Sequence, residues 1–381
     1  MTAAPSTNVS VARSVSALII MQDITIAAFH TSFRDRGGFE MSFGKKVTSA
    51  VATVLSIAML TVLYGCNSSN STPAHIVLRL GHVQTIDTHY QLASLEFARL
   101  VKDKTNGRIE VAVYPQSQLG GEVQMTQAVR TGTQDLAIIA QAVVENTVKE
   151  WQIFDVPYLF DSVDQANRIL QGPVGNTFMN MLPQHDLVGL AWFSCLERNV
   201  FTANKPVRTL NDLKGLKIRV LQSPGYVNAF RALGANPTPL AYSELYLAVQ
   251  QGVVDGGDTP PDQFVKDKFL EVAKNYSLTR INDQAIVFLM SKAVMDKLPK
   301  DDQNAILDAA KQAGQYDIKL YKDDTDKALK EIEQKGVHII HVDTKPWVEA
   351  TNAIRADLIS KIPSGESLYR EIVAAKAAAA K

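Results

Sequence analysis

An α/β fold divided into two lobes is what this 381-residue chain predicts, and three observations predict it. Between Asn211 and Thr259, Lys217 to Leu221 reads as a strand, and Tyr226, Val227, Phe230 and Leu233 recur at helical spacing until Gly234. Pro237 to Leu240 then leads to Ser243, an expected N-cap. The helix from Glu244 to Gln251 closes at Gly252, and Val253 and Val254 are expected to open another buried strand. The same grammar runs earlier. Ile76, Leu78 and Leu80 alternate in a strand, a helix from about Thr88 ends at Asn106-Gly107, and Ile109, Val111 and Val113 alternate in the next strand. A helix from Glu122 to Thr131 ends at Gly132 before a strand from Leu136 to Ala140. Finally, Ala128-Val129-x-x-Gly132-x-x-Asp135 is echoed by Ala248-Val249-x-x-Gly252-x-x-Asp255, 120 residues on, as paired lobes would give.

The length suits two domains of about 100 to 200 residues, each large enough for its own core. Ahead of them, residues 1–40 carry no core pattern and read as an extension upstream of the true start at Met41. Lys45-Lys46 precede the apolar run Val47 to Leu63, and Leu63-Tyr64-Gly65-Cys66 follows in the order of a bacterial lipoprotein signal. Residues 41–66 are therefore expected to be an export signal with Cys66 as the lipidated residue, although Tyr64 is large for its place. The run is shorter and richer in Ser and Thr than the roughly 20 apolar residues of a membrane span. Residues 67–73 read as a polar tether. Towards the other end, Lys300 to Lys335 reads as nearly continuous helix, on the order of 50 Å at 1.5 Å per residue, followed by a strand from Val337 to Val342.

Lys plus Arg and Asp plus Glu number 39 each, a balance that argues against a nucleic-acid or polybasic membrane partner. Of the two cysteines, Cys66 belongs to the signal and Cys195 reads as a small core residue with no Cys-His pattern beside it. The sequence holds no phosphate-binding glycine loop, HExxH helix, GxSxG elbow or CxxC pair, which lowers the expectation of nucleotide, zinc, hydrolase or redox chemistry. His338 and His341 lie three apart in a strand, on opposite faces, and make poor joint ligands. No cofactor and no metal are expected.

One residue carries the question of function. Arg219 is either a surface charge or an anion clamp, and strand alternation, which sets Lys217 and Arg219 opposite Ile218 and Val220, fits both. A guanidinium presents a planar fork of N–H donors that matches a carboxylate bidentately, where a lysine supplies a point charge. An exported two-lobed α/β body with arginines at strand ends reads as a solute receptor, since a cleft between such lobes encloses a small ligand as they close.

The chain resembles one family along roughly Ile76 to Val342. The motifs are Asp212-Leu213-Lys214-Gly215-Leu216-Lys217-Ile218-Arg219-Val220, Leu233-Gly234-Ala235-Asn236-Pro237-Thr238-Pro239, and the run from Glu244-Leu245-Tyr246 to Asp255-Gly256. Lys104-Thr105-Asn106-Gly107-Arg108, Tyr114-Pro115-x-x-Gln118-Leu119-Gly120 and Asp155-Val156-Pro157-Tyr158-Leu159-Phe160 extend the match. They resemble the substrate-binding subunit of tripartite ATP-independent periplasmic (TRAP) transporters. The resemblance implies a two-lobed periplasmic binding protein fold with a cleft and a long lobe-spanning helix. Its lobes would be discontinuous, 74–195 with 285–324 and 196–284 with 325–381. It also implies a small organic acid as ligand, membrane subunits as partners, and a monomer held in the periplasm only by its lipid anchor, doing no chemistry.

Residue by residue, the resemblance makes Arg219 the carboxylate clamp, Arg198 a second arginine, Tyr242 an aromatic wall and Gln222 a polar contact. Thr259 stands where the family commonly has an asparagine, with Asp258 beside it in the ligand set. Asp87, Thr88, His89 and Gln141 are expected to reach the cleft from the first lobe, although helix capping explains Asp87 and Thr88 equally well. Arg280 stands at a frequent histidine position and meets either ligand or a neighbouring carboxylate. A receptor serving a sensor, or an exported enzyme with Glu197 or Asp258 as base, remain the other readings.

Overall fold

The computed structural model describes residues 75–379; the expected extension, signal, Cys66 and tether lie outside them. Its strands are β1 (Ile76–Gly81), β2 (Ile109–Tyr114), β3 (Leu136–Ala140), β4 (Leu187–Trp192), β5 (Leu196–Thr202), β6 (Lys217–Val220), β7 (Asn236–Pro239), β8 (Gly256–Thr259), β9 (Asn275–Gln284), β10 (Ile286–Ser291) and β11 (His338–His341). They form two sheets, ordered β2-β1-β3-β10-β4 and β11-β9-β5-β8-β6-β7. The helices used below are α1 (His89–Lys104), α2 (Glu122–Thr131), α3 (Pro224–Ala232), α4 (Pro261–Lys266), α5 (Lys300–Gln334), α6 (Lys345–Ser360) and α7 (Gly365–Ala379).

The internal echo has a physical cause. Gly132 and Gly252 both end a helix with left-handed φ, 74° and 70°, where a side chain is strained. In each case the next residue donates its backbone N–H to the alanine carbonyl of the motif, Thr133 to Ala128 and Val253 to Ala248, both at 2.9 Å. The aspartate that completes each motif accepts a backbone N–H from the neighbouring parallel strand. Asp135 takes that of Arg79 on β1, and Asp255 that of Lys217 on β6, each at 2.8 Å. Cap and strand clasp are thus one device used once per sheet. One boundary moves because of it: Val253 and Val254 belong to the turn, Val253 is exposed, and the buried strand begins at Gly256. Ser243 sits inside a one-turn 3-10 helix, Tyr242–Glu244, and does not cap α-helical Leu245–Gln250.

The chain crosses between sheets where two strands run on almost without a break. β4 passes into β5 through residues 193–195, β9 passes into β10 through Ala285, and the crossings pair with each other, Trp192 with Val287 and Leu196 with Gln284. The third link is α5, whose 35 residues span about 52 Å at 1.5 Å per residue. Asp317, buried midway along it, ties the crossing to the first lobe. Its Oδ2 accepts the Ser194 backbone N–H at 2.8 Å and the Ser194 hydroxyl at 2.6 Å, and its Oδ1 lies 2.7 Å from His89 Nδ1.

The C-terminal segment corrects the expected lobe assignment. Leu368 and Ile372 of α7 join the apolar cluster of Trp151 and Phe178, and Lys376 Nζ donates to the Leu159 carbonyl at 2.8 Å. Residues 365–379 therefore pack on the first lobe, although 325–381 was assigned to the second. The register of apolar residues, and not chain order, decides which lobe a terminal helix covers. Cys195 is fully buried, and burial pushes its thiol well above the usual range, as a core residue requires.

Replacing Asp317 by Ala would leave the Ser194 N–H and the His89 imidazole without their acceptor. The expected cost is about 3 to 5 kcal/mol, read as a lower midpoint in urea. His89 adds a pH signature. Burial opposes its charge, but the Asp317 carboxylate outweighs it and holds the imidazole pKa above its ordinary value. That stabilisation is fully present below the unfolded-state pKa of about 6.5 and is lost as pH rises through the raised folded value, a slope that the Ala variant should lack.

Candidate ligand-binding site

A narrow cavity of about 20 Å³, room for about one water, lies between the two sheets. Val83, Gln84, Tyr90, Glu122, Ala140 and Ile286 line it from the first lobe. From the second come Leu196, Arg198, Arg219, Leu221, Tyr242, Gln263 and Gln284. Larger and more open hollows exist elsewhere, around Lys266 and Glu331 and beside β11. The interlobe cavity is singled out by its chemistry, because it gathers two buried arginines.

The two guanidinium groups are held differently. On β5, Arg198 donates through Nε to Asp258 Oδ2 at 2.9 Å and through Nη1 to Gln284 Oε1 at 3.0 Å, and its Nη2 reaches the Asp258 carbonyl. Asp258 Oδ2 also accepts the Tyr226 hydroxyl at 2.7 Å. Burial opposes the charge on Arg198, but Asp258 outweighs it and raises the pKa. Arg198 is a neutralised, structural cation.

Arg219 has no such partner. Its Nε and Nη2 both donate to the Leu240 carbonyl, at 3.0 and 2.8 Å, and its carbon Cζ stands 5.6 Å from the centre of the Tyr242 ring. The remaining nitrogen, Nη1, is buried without a hydrogen-bond partner among the described residues. Burial, then the nearby Arg198 charge, bring the pKa down to about 10, so Arg219 stays cationic at neutral pH. A buried cation that faces a carbonyl and an aromatic ring, with a spare donor, is built to receive an anion.

Around it stand groups that complement a polar ligand. Gln84 Oε1, Gln263 Nε2 and Gln284 Nε2 are buried and have no hydrogen-bond partner among the described residues. Glu122 uses Oε1 to accept the Ala140 N–H at 2.8 Å. Burial raises its pKa, against the pull of Arg219 and Arg198.

Of the residues expected at the site, Arg219, Arg198 and Tyr242 line the cavity and Asp258 supports Arg198 from behind. Five others stand elsewhere, each for a local reason. Gln222 lies past the end of β6 with its side chain exposed, and Asp87 is exposed on the rim of a different hollow. His89 is fixed by Asp317, and Gln141 donates to Asp155 at 2.6 Å. Thr259 turns towards Gln263, Oγ1 to Oε1 3.3 Å, and its carbonyl accepts the Tyr276 hydroxyl. Arg280 meets a neighbouring carboxylate, Glu197, at 3.4 Å and does not line the cavity. Glu122, Gln84, Gln263 and Gln284 were not anticipated. Glu122 reads in sequence as an acidic first-turn residue at a helix N-terminus, a role many glutamates fill.

Two α/β lobes meeting over a narrow polar cavity with a buried guanidinium define a class of protein, the solute-binding proteins that take a small ligand between their lobes. The chain belongs to the bacterial extracellular solute-binding protein family 7, whose model matches residues 80–361. It is 31% identical over 306 residues to the 2,3-diketo-L-gulonate-binding periplasmic protein YiaO of Escherichia coli, covering 80% of this chain and 93% of that one. Among solved structures, it is similar to a TRAP periplasmic solute-binding protein of Citrobacter koseri with bound D-glucuronate, with a TM-score of 0.74 and 31% identity, covering 78% of this chain and 98% of that one. It is also similar to the sugar acid binding protein DctPAm of Advenella mimigardefordensis in complex with galactonate, with a TM-score of 0.76 and 27% identity, covering 79% and 99%. No helix among the described residues is long and apolar enough to cross a membrane.

The contrast between the arginines has a measurable consequence. Arg198→Ala strips Asp258 of its buried counter-charge and should cost about 3 to 5 kcal/mol of folding stability. Arg219→Ala removes a cation without a carboxylate partner and should leave the ligand-free protein at least as stable as wild type. Thermal melts of the two variants check both.

Proposed function

We propose that this chain is an extracytoplasmic receptor that captures a hydroxylated monocarboxylic acid, of the sugar-acid kind, and hands it to TRAP membrane subunits. It would act as a monomer tethered through a lipid on Cys66, with lobes 74–195 plus 285–324 and 196–284 plus 325–364, and α7 returning to the first. It would release its ligand unaltered.

The spare Nη1 of Arg219 is the observation that carries this reading. A carboxylate there would accept from the guanidinium fork inside a site from which water is largely excluded. The ion pair would then be stronger than in water, and its removal would leave one charge buried alone. The unpartnered glutamine groups supply donors and an acceptor for ligand hydroxyls, and Glu122 adds an acceptor. If ionised, Glu122 also disfavours a second carboxylate near it. The sugar acids bound by the Citrobacter and Advenella relatives have this pattern of one carboxylate and several hydroxyls.

Calorimetry with D-glucuronate and galactonate provides the test. One molecule should bind per chain, and Arg219→Ala should weaken binding at least about a hundredfold, which is about 2.7 kcal/mol. A four-carbon dicarboxylate should bind more weakly than either sugar acid. Near-normal affinity in Arg219→Ala would remove the clamp; preference for the dicarboxylate would remove the hydroxyl-recognition reading; turnover of the ligand would favour an enzyme.

A further inference from the structure

Away from the cavity, a second polar cluster joins the lobes. Glu145 and Asp155 of the first lobe, both buried, converge on Ser223 and Gly225 at the start of α3 in the second. Ser223 Oγ lies 2.8 Å from Glu145 Oε1 and 2.6 Å from Asp155 Oδ2. It also caps α3, accepting the Tyr226 N–H at 3.0 Å. The Gly225 N–H donates to Glu145 Oε1 at 2.9 Å, and Gln141 donates to Asp155 Oδ1 at 2.6 Å. The fit is close: a Cβ on Gly225 would stand 2.7 Å from Asp155 Oδ2 and 2.9 Å from Glu145 Oε2.

Counting hydrogens exposes a deficit. The Ser223 hydroxyl has one proton and can serve only one of the two carboxylates. One of its lone pairs takes the Tyr226 N–H, so the other would face a bare carboxylate oxygen at hydrogen-bond distance. The contacts balance when one carboxyl is protonated. Asp155 Oδ2–H then donates to Ser223 Oγ, and Ser223 donates to Glu145 Oε1. The proton belongs on Asp155 Oδ2, because Glu145 Oε1 already accepts the Gly225 N–H whereas Asp155 Oδ2 has only Ser223 as a partner.

We infer that Asp155, Glu145 and Ser223 form a proton-binding site completed only when the lobes meet, so that solute capture takes up a proton at Asp155. The inference rests on the proposed receptor function in that ligand and proton favour the same closed state. With the lobes apart, Asp155 loses the cover of α3 but keeps Glu145 and Gln141 beside it, so its pKa falls back towards the ordinary carboxyl value of about 3.9 without the burial that closure adds. When they meet, burial raises its pKa well above that range, and the Glu145 carboxylate, already beside it, adds to the rise. A value raised in the closed state means that the proton supports closure at lower pH and that this support fades as pH rises through the closed-state value.

Few other charges face the group. From α3 comes the Tyr226 phenol, held by Asp258. From the C-terminal segment Lys361 lines the small hollow shared by Asp155 and Gly225, paired at 2.6 Å with Asp357. On β9 and α7, Arg280 pairs with Glu197 and Lys376 with Asp161. Asp283 on β9 is influenced by Glu197 and Arg280. Because Glu122, Asp262 and Asp267 also have raised pKa values, the test must be a difference between variants.

Asp155→Asn supplies that difference, since its amide can donate to Ser223 without binding a proton. Titration with D-glucuronate in buffers of different ionisation enthalpy should show wild type taking up more protons than the variant, by up to about one per ligand. Between the open-state and closed-state pKa values, wild-type affinity should fall about tenfold per pH unit as pH rises, levelling off above the closed-state value, while Asp155→Asn falls less. Glu145→Gln, which removes the neighbouring charge, should also reduce the uptake and decides the matter if Asp155→Asn fails to fold. Small-angle scattering of the ligand-free protein needs no ligand: the wild type should be more compact at pH 6 than at pH 9, and Asp155→Asn should respond less. Equal proton uptake and equal pH responses in wild type and variants would overturn the inference. Absence of sugar-acid binding in wild type would count against the proposed ligand only, leaving scattering to decide the proton site.

Discussion

A guanidinium buried without a counter-charge is the constraint around which this molecule is arranged. Arg219 has given up hydration for a carbonyl, an aromatic face and an unused nitrogen. Such an arrangement is unfavourable in isolation, and it persists because β6 and Tyr242 are fixed by the rest of the second lobe. Arg198 makes it more demanding still, because its positive charge disfavours that of Arg219. Asp258 pairs directly with only one of them, and its charge favours the other from farther off. The site is thus left with net positive character focused on Nη1, and an incoming carboxylate relieves both the unmet donor and the charge imbalance.

The backbone explains how that tension is contained. In each sheet a glycine-ended helix and an aspartate clasp fix the entry of a strand, and in the second sheet the clasp grips Lys217, two residues before the arginine. Residues on one face of a strand repeat every second position, so an anchored Lys217 leaves Arg219 little freedom of register. Packing of Ile218 and Val220 on the opposite face completes the restraint. The charge is thus presented by a strand held both at its entry and through its opposite face.

The sequence was most legible where local periodicity and turn chemistry govern. Strands β1, β2, β3 and β6, helix α2 and the long α5 follow from alternation, helical spacing and terminal glycines. The site was legible only in part. Type and strand position left Arg219 open between a surface charge and an anion clamp, and the family resemblance grouped it with Arg198 and Tyr242, with which it lines one cavity. The glutamines and Glu122 gave no warning, because three of them acquire their meaning from the other lobe or from a sheet crossing. Glu122 and Gln84 come from the first lobe and Gln284 from the crossing into β10, so their convergence on Arg219 follows from how the two sheets meet. Conversely, His89 and Gln141 look like cleft residues until Asp317 and Asp155, 228 and 14 residues away in sequence, are seen to claim them.

Beside the apolar cluster that the lobes share, polar contacts run along the seam between them, and contacts of this kind suit a closure that reverses. His89 faces Asp262 at 3.5 Å, Thr85 meets Asp267 at 3.4 Å, Asn146 donates to the Gln222 carbonyl at 2.8 Å, and Ser223 bridges Glu145 and Asp155. Each such contact exchanges a hydrogen bond with water for one within the protein, a net gain of only about 1 kcal/mol. An apolar seam of similar extent would hold the lobes shut whether or not solute was present. With a polar seam the open and closed forms stay close in free energy, and a modest differential affinity shifts the population. The unpaired charge of Arg219 supplies that differential. It is poorly accommodated by a closed empty cleft and well accommodated by a closed filled one, so the cation that makes the site selective also keeps the empty receptor from closing for good.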